Sequence, residues 1–238
     1  YGFDMQVDPR RHRGVDASIY FNGTYEAGSI DVIRRLLRPG DTFIDAGANI
    51  GLMSLAAAQA VGPTGQVHAF EPVPETFARL VDNARLNHLD DRSRCINVGV
   101  GAEDGELWFS GDLDTVNHVL ATCETSTRAV KVRVASLDSL LGDESPALIK
   151  IDVEGFETPV LDGAQAVLSR PSLHAVIMEL NGSGTRYGFD EQKILVRMAE
   201  YGFGTYSYNP FGRALINLDG KNLGSGNTLF IRDEASVL

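Results

Sequence analysis

At 238 residues with 43% hydrophobic side chains, the chain has the length of one α/β domain and enough apolar material for a core. Its 21 Lys+Arg against 32 Asp+Glu leave a formal charge of -11, a field that repels phosphate backbones and anionic headgroups, so nucleic acid and membrane surfaces are not expected partners. The two cysteines, Cys95 and Cys123, lack CxxC spacing and a nearby His pair, so neither a disulfide framework nor a zinc site is expected.

No apolar run approaches the roughly 18 residues that span a bilayer, and no signal-peptide pattern opens the chain. A soluble, cytoplasmic protein is expected. The chain begins at Tyr1 rather than Met, so the natural N-terminus is expected upstream. One domain is expected over residues 1–238, with an N-terminal arm and helical region at 1–38 and the core at 39–238. The cluster of Arg10, Arg11 and Arg13 around His12 reads as a solvated arm.

In chain order, the Pro39-Gly40 turn introduces a strand at 41–45, and Leu52, Leu55 and Ala56 give the next stretch a helical face. Gln66–Phe70 is a second strand; Phe77, Leu80, Val81 and Ala84 recur at helical spacing; residues 94–100 return to strand. Residues 106–109 suit a hairpin arm, whereas 112–128 is polar and without period, which predicts a lid within 110–130. Strands follow at 131–134 and 147–151. Thr158-Pro159 reads as an N-cap with proline at the first helical position, before a stripe of Val160, Leu161, Ala164, Val167 and Leu168. A strand at 175–180, a helix capped by Asp190 and carrying Ile194, Leu195 and Met198, and a strand at 228–231 complete the chain. Strands alternating with amphipathic helices predict an α/β fold of Rossmann type with a mostly parallel sheet and helices on both faces.

Three motifs carry chemistry. Asp45-Ala-Gly47-Ala-Asn49-Ile-Gly51 falls where the first strand meets its helix, a place where glycines let backbone approach a ligand and N–H groups favour an anion. It has GxxxG rather than the GxGxxG of pyrophosphate loops, so it suits a ligand with an amino acid end: Asp45 for an ammonium, backbone N–H groups for a carboxylate. Glu71, before Pro72 at the tip of the second strand, is placed to accept both hydroxyls of a ribose; its bland alternative is a surface acid near a helix start. Lys150-Ile-Asp152-Val-Glu154-Gly-Phe-Glu157 sets Asp152 and Glu154 two residues apart at a later strand end, where open α/β sheets collect ligands. Either Glu154 or Glu157 would serve equally as a helix-cap acid.

Tyr25-Glu26, Pro39-Gly40-Asp41, the Asp45–Gly51 loop, Phe70-Glu71-Pro72, Leu137-Asp138-Ser-Leu140 and Lys150-Ile-Asp-Val-Glu-Gly155 together closely resemble the FkbM-type methyltransferase family, over about residues 25–180. The resemblance implies a seven-stranded class I methyltransferase fold with an antiparallel last strand, S-adenosylmethionine as donor, and O-methylation of a small natural product or sugar, with the acceptor atom a hydroxyl or a carboxyl. It places Glu26, Asp45, Gly47, Asn49, Gly51, Glu71 and Pro72 around the cofactor.

Methyl transfer needs donor and acceptor aligned and a proton removed, which points to Asp152, Glu154, Glu179 or His118 as base. His118, in the expected lid, carries the side chain suited to proton exchange near neutral pH. The three acids would equally suit Mg²⁺, a hard cation that prefers oxygen ligands; the metal-free version is preferred, because the resemblance implies no metal signature. An NAD(P)-dependent oxidoreductase is disfavoured by the missing GxGxxG and Tyr-x-x-x-Lys, and a non-catalytic nucleoside-binding module would show no product.

Overall fold

The computed structural model describes residues 1–89, 92–111, 113, 116–121, 124–224 and 226–232. Cys123 and, within the expected lid, residues 112, 114, 115 and 122 lie outside the described residues. Two short helices, α1 (Val15–Asn22) and α2 (Ala27–Leu36), precede β1 (Thr42–Ala46), α3 (Leu52–Val61), β2 (Gln66–Phe70), α4 (Pro74–Leu86) and β3 (Ser93–Ile96). Then come β4 (Gly99–Val100), β5 (Gly105–Ser110), β6 (Ala129–Ala135), α5 (Leu137–Leu141), β7 (Leu148–Ile151), α6 (Glu157–Asp162), α7 (Gln165–Leu168) and β8 (Ala175–Glu179). The chain closes with α8 (Glu191–Glu200), β9 (Gly204–Asn209), β10 (Ala214–Asn217) and β11 (Asn227–Ile231). Among the described residues no helix is long and apolar enough to cross a membrane.

The main sheet runs β3-β2-β1-β7-β8-β11-β9-β10. The pairs from β3 to β8 are parallel, and β11, the last strand, inserts antiparallel to both β8 and β9. The expected seven-stranded arrangement is present, and β10 extends it as an eighth strand paired antiparallel to the edge. Strand order reverses between β1 and β7, and a crevice opens above the strand ends at such a point.

Both sheet faces are buried, so the central strands read as near-continuous apolar runs. Phe43, Leu148, Ile177, Leu229 and Ile231 face α2 and α3; Ile44, Ile149, Ile151, Met178 and Phe230 face α6, α7 and α8. The N-terminal stretch docks on α4, with Asp4 N and Gln6 N donating to Asn87 and Asn83 at 2.9 and 2.8 Å and Asp16, 1% exposed, paired with Arg79.

Three sequence expectations shift. The strand at 94–100 is two: Asn97 Nδ2 donates to Glu71 O and Pro72 O at 2.8 and 2.9 Å, which turns the chain out of the main sheet into a small sheet ordered β4-β6-β5. The strand at 131–134 belongs to that small sheet, where β6 pairs antiparallel with β5. Helix α6 starts at Glu157 rather than after Thr158, so Pro159 sits at the third helical position, where its missing N–H still costs no intrahelical bond. Asp190 caps α8 as expected, accepting from Gln192 N at 3.0 Å.

Candidate functional site

The tips of β1, β2, β7 and β8 deliver Asp45, Glu71, Lys150, Asp152 and Glu179 to one cleft at the reversal of strand order, and the turn into α2 adds Tyr25 and Glu26. Asn49, Gly47, Pro72 and Glu154 line the same cleft. The register places Asp45 directly beside Lys150 on the parallel β1–β7 pair, so both side chains point to the α2 side of the sheet.

Gly47 is required by chain packing. Its φ is 85°, and a Cβ there would lie 1.8 Å from the Asp152 carbonyl oxygen, so the β1 tip can meet the β7 tip only without a side chain. Gly51 does not line the cleft. It stands left-handed before α3, and a Cβ would meet Leu80 Cδ1 at 2.7 Å.

The loop's N–H groups are already used, which corrects the expectation that they meet a ligand carboxylate. Gly47 N and Ala48 N both donate to Phe70 O at 3.0 Å, Asn49 N to Glu71 Oε2 at 3.0 Å, Ile50 N to Asn49 Oδ1 at 2.8 Å and Gly51 N to Ala48 O at 2.9 Å. The GxxxG segment is therefore a turn bonded partly to the β2 tip and partly to itself, and it presents side chains and carbonyls. Asn49, with φ 51°, serves that turn.

Glu71 accepts from Val73 N with one carboxylate oxygen at 2.9 Å and from Asn49 N with the other, which fixes the carboxylate and leaves each oxygen further acceptor capacity. Burial raises its pKa to about 7 against the opposing pull of those N–H bonds. Asp45 is fully buried; Ser54 Oγ donates to its Oδ2 at 2.6 Å, while Oδ1 has no hydrogen-bond partner among the described residues. Burial raises its pKa, with Lys150 working in the other direction. An orphaned carboxylate oxygen beside a cleft is a ready acceptor for a cationic N–H donor.

The centre of the site is a cation that sequence reading quoted but gave no role. Lys150 is 3% exposed, and its Nζ stands 2.7 Å from Asp152 Oδ2. Burial works against its charge, yet Asp152, Glu26 and Asp45 outweigh that and raise its pKa. Its sequence signal was the lone charge in the buried strand Leu-Ile-Lys-Ile, since lysine is almost never buried unpaired. Around it, Asp152, Glu154 and Glu179 bring oxygens within 4.8 Å of one another. Burial, then the neighbouring carboxylates, raises Glu154 to about 8 and Glu179 to about 7. The Tyr25 hydroxyl rises to about 12 through burial and the charges of Glu26, Asp152 and Glu179. Neither Glu154 nor Glu157 caps α6: Glu157 is its first residue and accepts from Gly155 N, in the turn ahead of the helix, at 3.1 Å.

The described part of the expected lid borders the cleft through Val116 and Asn117. His118 does not line it. Its Nδ1 lies 2.9 Å from Val116 O and its Nε2 3.4 Å from Glu124 Oε2, while its backbone carbonyl accepts from Ser110 N, so the residue is buried against β5 and turned from the acids. Asp138, part of another family-like motif, accepts from Ala166 N and Val167 N at 3.0 and 2.9 Å and so holds the start of α7.

This sheet order with its antiparallel insertion and a strand-tip cleft defines the class I methyltransferase fold, and two solved structures share it: methyltransferase FkbM from Methylobacillus flagellatus (TM-score 0.53, 15% identity, 92% of this chain and 48% of that one) and a putative rRNA-methylase from Clostridium thermocellum (TM-score 0.53, 15% identity, 87% and 97%). Residues 45–204, more than half the chain, match the methyltransferase FkbM domain, and the chain belongs to that family. Relatives include methyltransferase 1 of Beauveria bassiana, 32% identical over 52% of this chain and 59% of that protein. Hexuronic acid methyltransferase AglP of Haloferax volcanii is 30% identical over 65% of this chain and 63% of its own length. The 31-O-demethyl-FK506 methyltransferase FkbM of Streptomyces tacrolimicus is 30% identical over 61% and 67%. The chain thus spans about three fifths of the first two relatives.

Proposed function

We propose that the chain transfers a methyl group from S-adenosylmethionine to a hydroxyl of a small acceptor, a sugar or natural product. The observation that carries this reading is the pair of buried acids at adjacent strand tips, Asp45 with an oxygen unpartnered and Glu71 with its carboxylate already aligned, beside a carboxylate cluster built around Lys150. Family membership supports it, and two relatives are named for hexuronic acid and for 31-O-demethyl-FK506 as acceptors.

The residues fit the donor's parts. Glu71 would receive the ribose hydroxyls, and Asp45, with Glu26 across the cleft, would attract the ammonium of the amino acid end. Bound there, the donor supplies an electrophilic methyl on a sulfonium. The protein's own work is to hold the acceptor in line, worth several kcal/mol of barrier, and to take its proton. Glu154 and Glu179, raised to about 8 and about 7, exchange protons in the working range, and Lys150 Nζ donates to Asp152 Oδ2 beside them at 2.7 Å. With that internal cation beside the cluster, the carboxylates have a counter-charge from the chain itself, and we take the reaction as metal-free.

Incubation with methyl-labelled S-adenosylmethionine and a panel of hydroxyl and carboxyl acceptors tests the reading. Label in a base-stable ether is the expected product. Label released by mild base marks a carboxyl ester, and no transfer to any acceptor with the donor bound marks a binding module.

A further inference from the structure

Tyr25, Glu26 and Glu179 line the donor cleft on one side and a second compartment on the other. The further walls come from Gly28 and Ser29 of α2, Ser207 and Tyr208 of β9, and Asn227 at the start of β11. Asn227 is the direct cross-strand partner of Glu179 on the β8–β11 pair, so the compartment abuts one of the acids proposed to move the proton. Its Nδ2 donates to Glu26 Oε2 at 2.7 Å and Ser29 Oγ at 2.9 Å, which fixes this wall, and its Oδ1 has no partner among the described residues.

Gly28 is the second observation. It sits inside the first turns of α2, outside the left-handed region, where alanine is the better helix former. No turn geometry calls for glycine there, and a Cβ would meet no atom within 4 Å. The position spends helix propensity on open room beside Glu26. The chemistry facing that room is hydroxyl, amide and carboxylate oxygen set among two tyrosine rings and the aliphatic side chains of Val32, Leu223 and Leu229, a polar and apolar mixture that suits both the hydroxyls and the C–H faces of a sugar ring, and among the described residues no Lys, Arg or His lines it. Such walls recognise a ligand that donates several hydroxyl hydrogen bonds, and the two carboxylates repel one that carries negative charge.

We propose that this compartment is the acceptor subsite, that it takes an uncharged, hydroxyl-rich molecule of saccharide type, and that Gly28 keeps the space for it. The assignment rests on the methyl-transfer reading, and its test separates the two. Saturation-transfer NMR with methyl β-glucopyranoside and methyl β-glucuronide is measured on the full chain in the presence of S-adenosylhomocysteine, alongside calorimetric titration of S-adenosylmethionine. The glucoside should bind the unaltered chain better than the glucuronide. Gly28→Leu, which raises helix propensity, and Ser207→Trp should each weaken the glucoside at least about tenfold by filling the room, with donor affinity held within about twofold. Absent glucoside binding, binding that survives both variants, or preference for the glucuronide overturns the subsite; absent donor binding to the unaltered chain overturns the methyl-transfer reading instead.

Discussion

Lys150 Nζ and Asp152 Oδ2 lie 2.7 Å apart at the end of β7, with the lysine 3% exposed and Asp45 its neighbour across the β1–β7 pair. A buried cation removed from among carboxylates leaves charges uncompensated, at about 3–5 kcal/mol. Lys150→Met should therefore lower unfolding stability by about that amount in urea titration, and Lys150→Met with Asp152→Asn should recover part of it. A loss below about 1 kcal/mol, the level of an exposed pair, would make the lysine dispensable.

The raised carboxyl groups predict a stability trend with pH. Glu71, Glu157 and Glu179 at about 7 and Glu154 at about 8 all stand above the ordinary 4.5, so the folded chain holds more protons than the unfolded one between those values. Their contribution is full below about 4.5 and is lost as pH rises through about 7–8. His68, lowered by burial, opposes this only around and below its ordinary 6.5. Tm of the ligand-free chain should fall between about pH 7 and pH 9, at about 2–4 °C per kcal/mol for a chain of this size. A flat or rising Tm in scanning calorimetry over that interval contradicts the assignment.

The same groups set the expected rate profile. Turnover should rise along a limb near pH 7–8 as Glu179 and Glu154 lose their protons, and should be indifferent to EDTA. Glu179→Gln, Glu154→Gln or Asp152→Asn should cost about 10²-fold or more wherever the changed residue is the base, with donor affinity nearly kept. Near-normal turnover in all three would move the proton acceptor elsewhere, and chelator-sensitive turnover restored by Mg²⁺ would replace the metal-free account.

Asp45, Glu71, Asp152 and Glu179 were legible because each stands at or beside the end of a strand, where open α/β sheets form their clefts, and short apolar runs locate strand ends without any contact information. Lys150 was not. Its role exists only once the register sets it beside Asp45 and the turn into α2 brings Glu26 over it, and both are long-range pairings. The loop's N–H groups were misread for the same reason: their acceptors, Phe70 O and Glu71, come from the neighbouring strand. Asn97 divided an apparently continuous strand through two carbonyls 25 and 26 residues back. The polar sequence Gly-Thr-Tyr-Ser-Tyr-Asn of β9 gave no strand signal, since pairing with β11 on one side and β10 on the other, with Tyr206 packed into the core, decides it rather than apolar alternation.

On the proposed function, the strand-tip acids hold S-adenosylmethionine. Calorimetric titration of the donor into the unaltered chain and into Glu71→Ala, with thermal unfolding as the control for folding, addresses it most directly. Loss of hydrogen bonds to a charged group is worth about 1.5–3 kcal/mol, so the variant should bind about 10- to 150-fold more weakly while remaining folded. A folded Glu71→Ala that binds the donor as tightly as the unaltered chain would contradict the account.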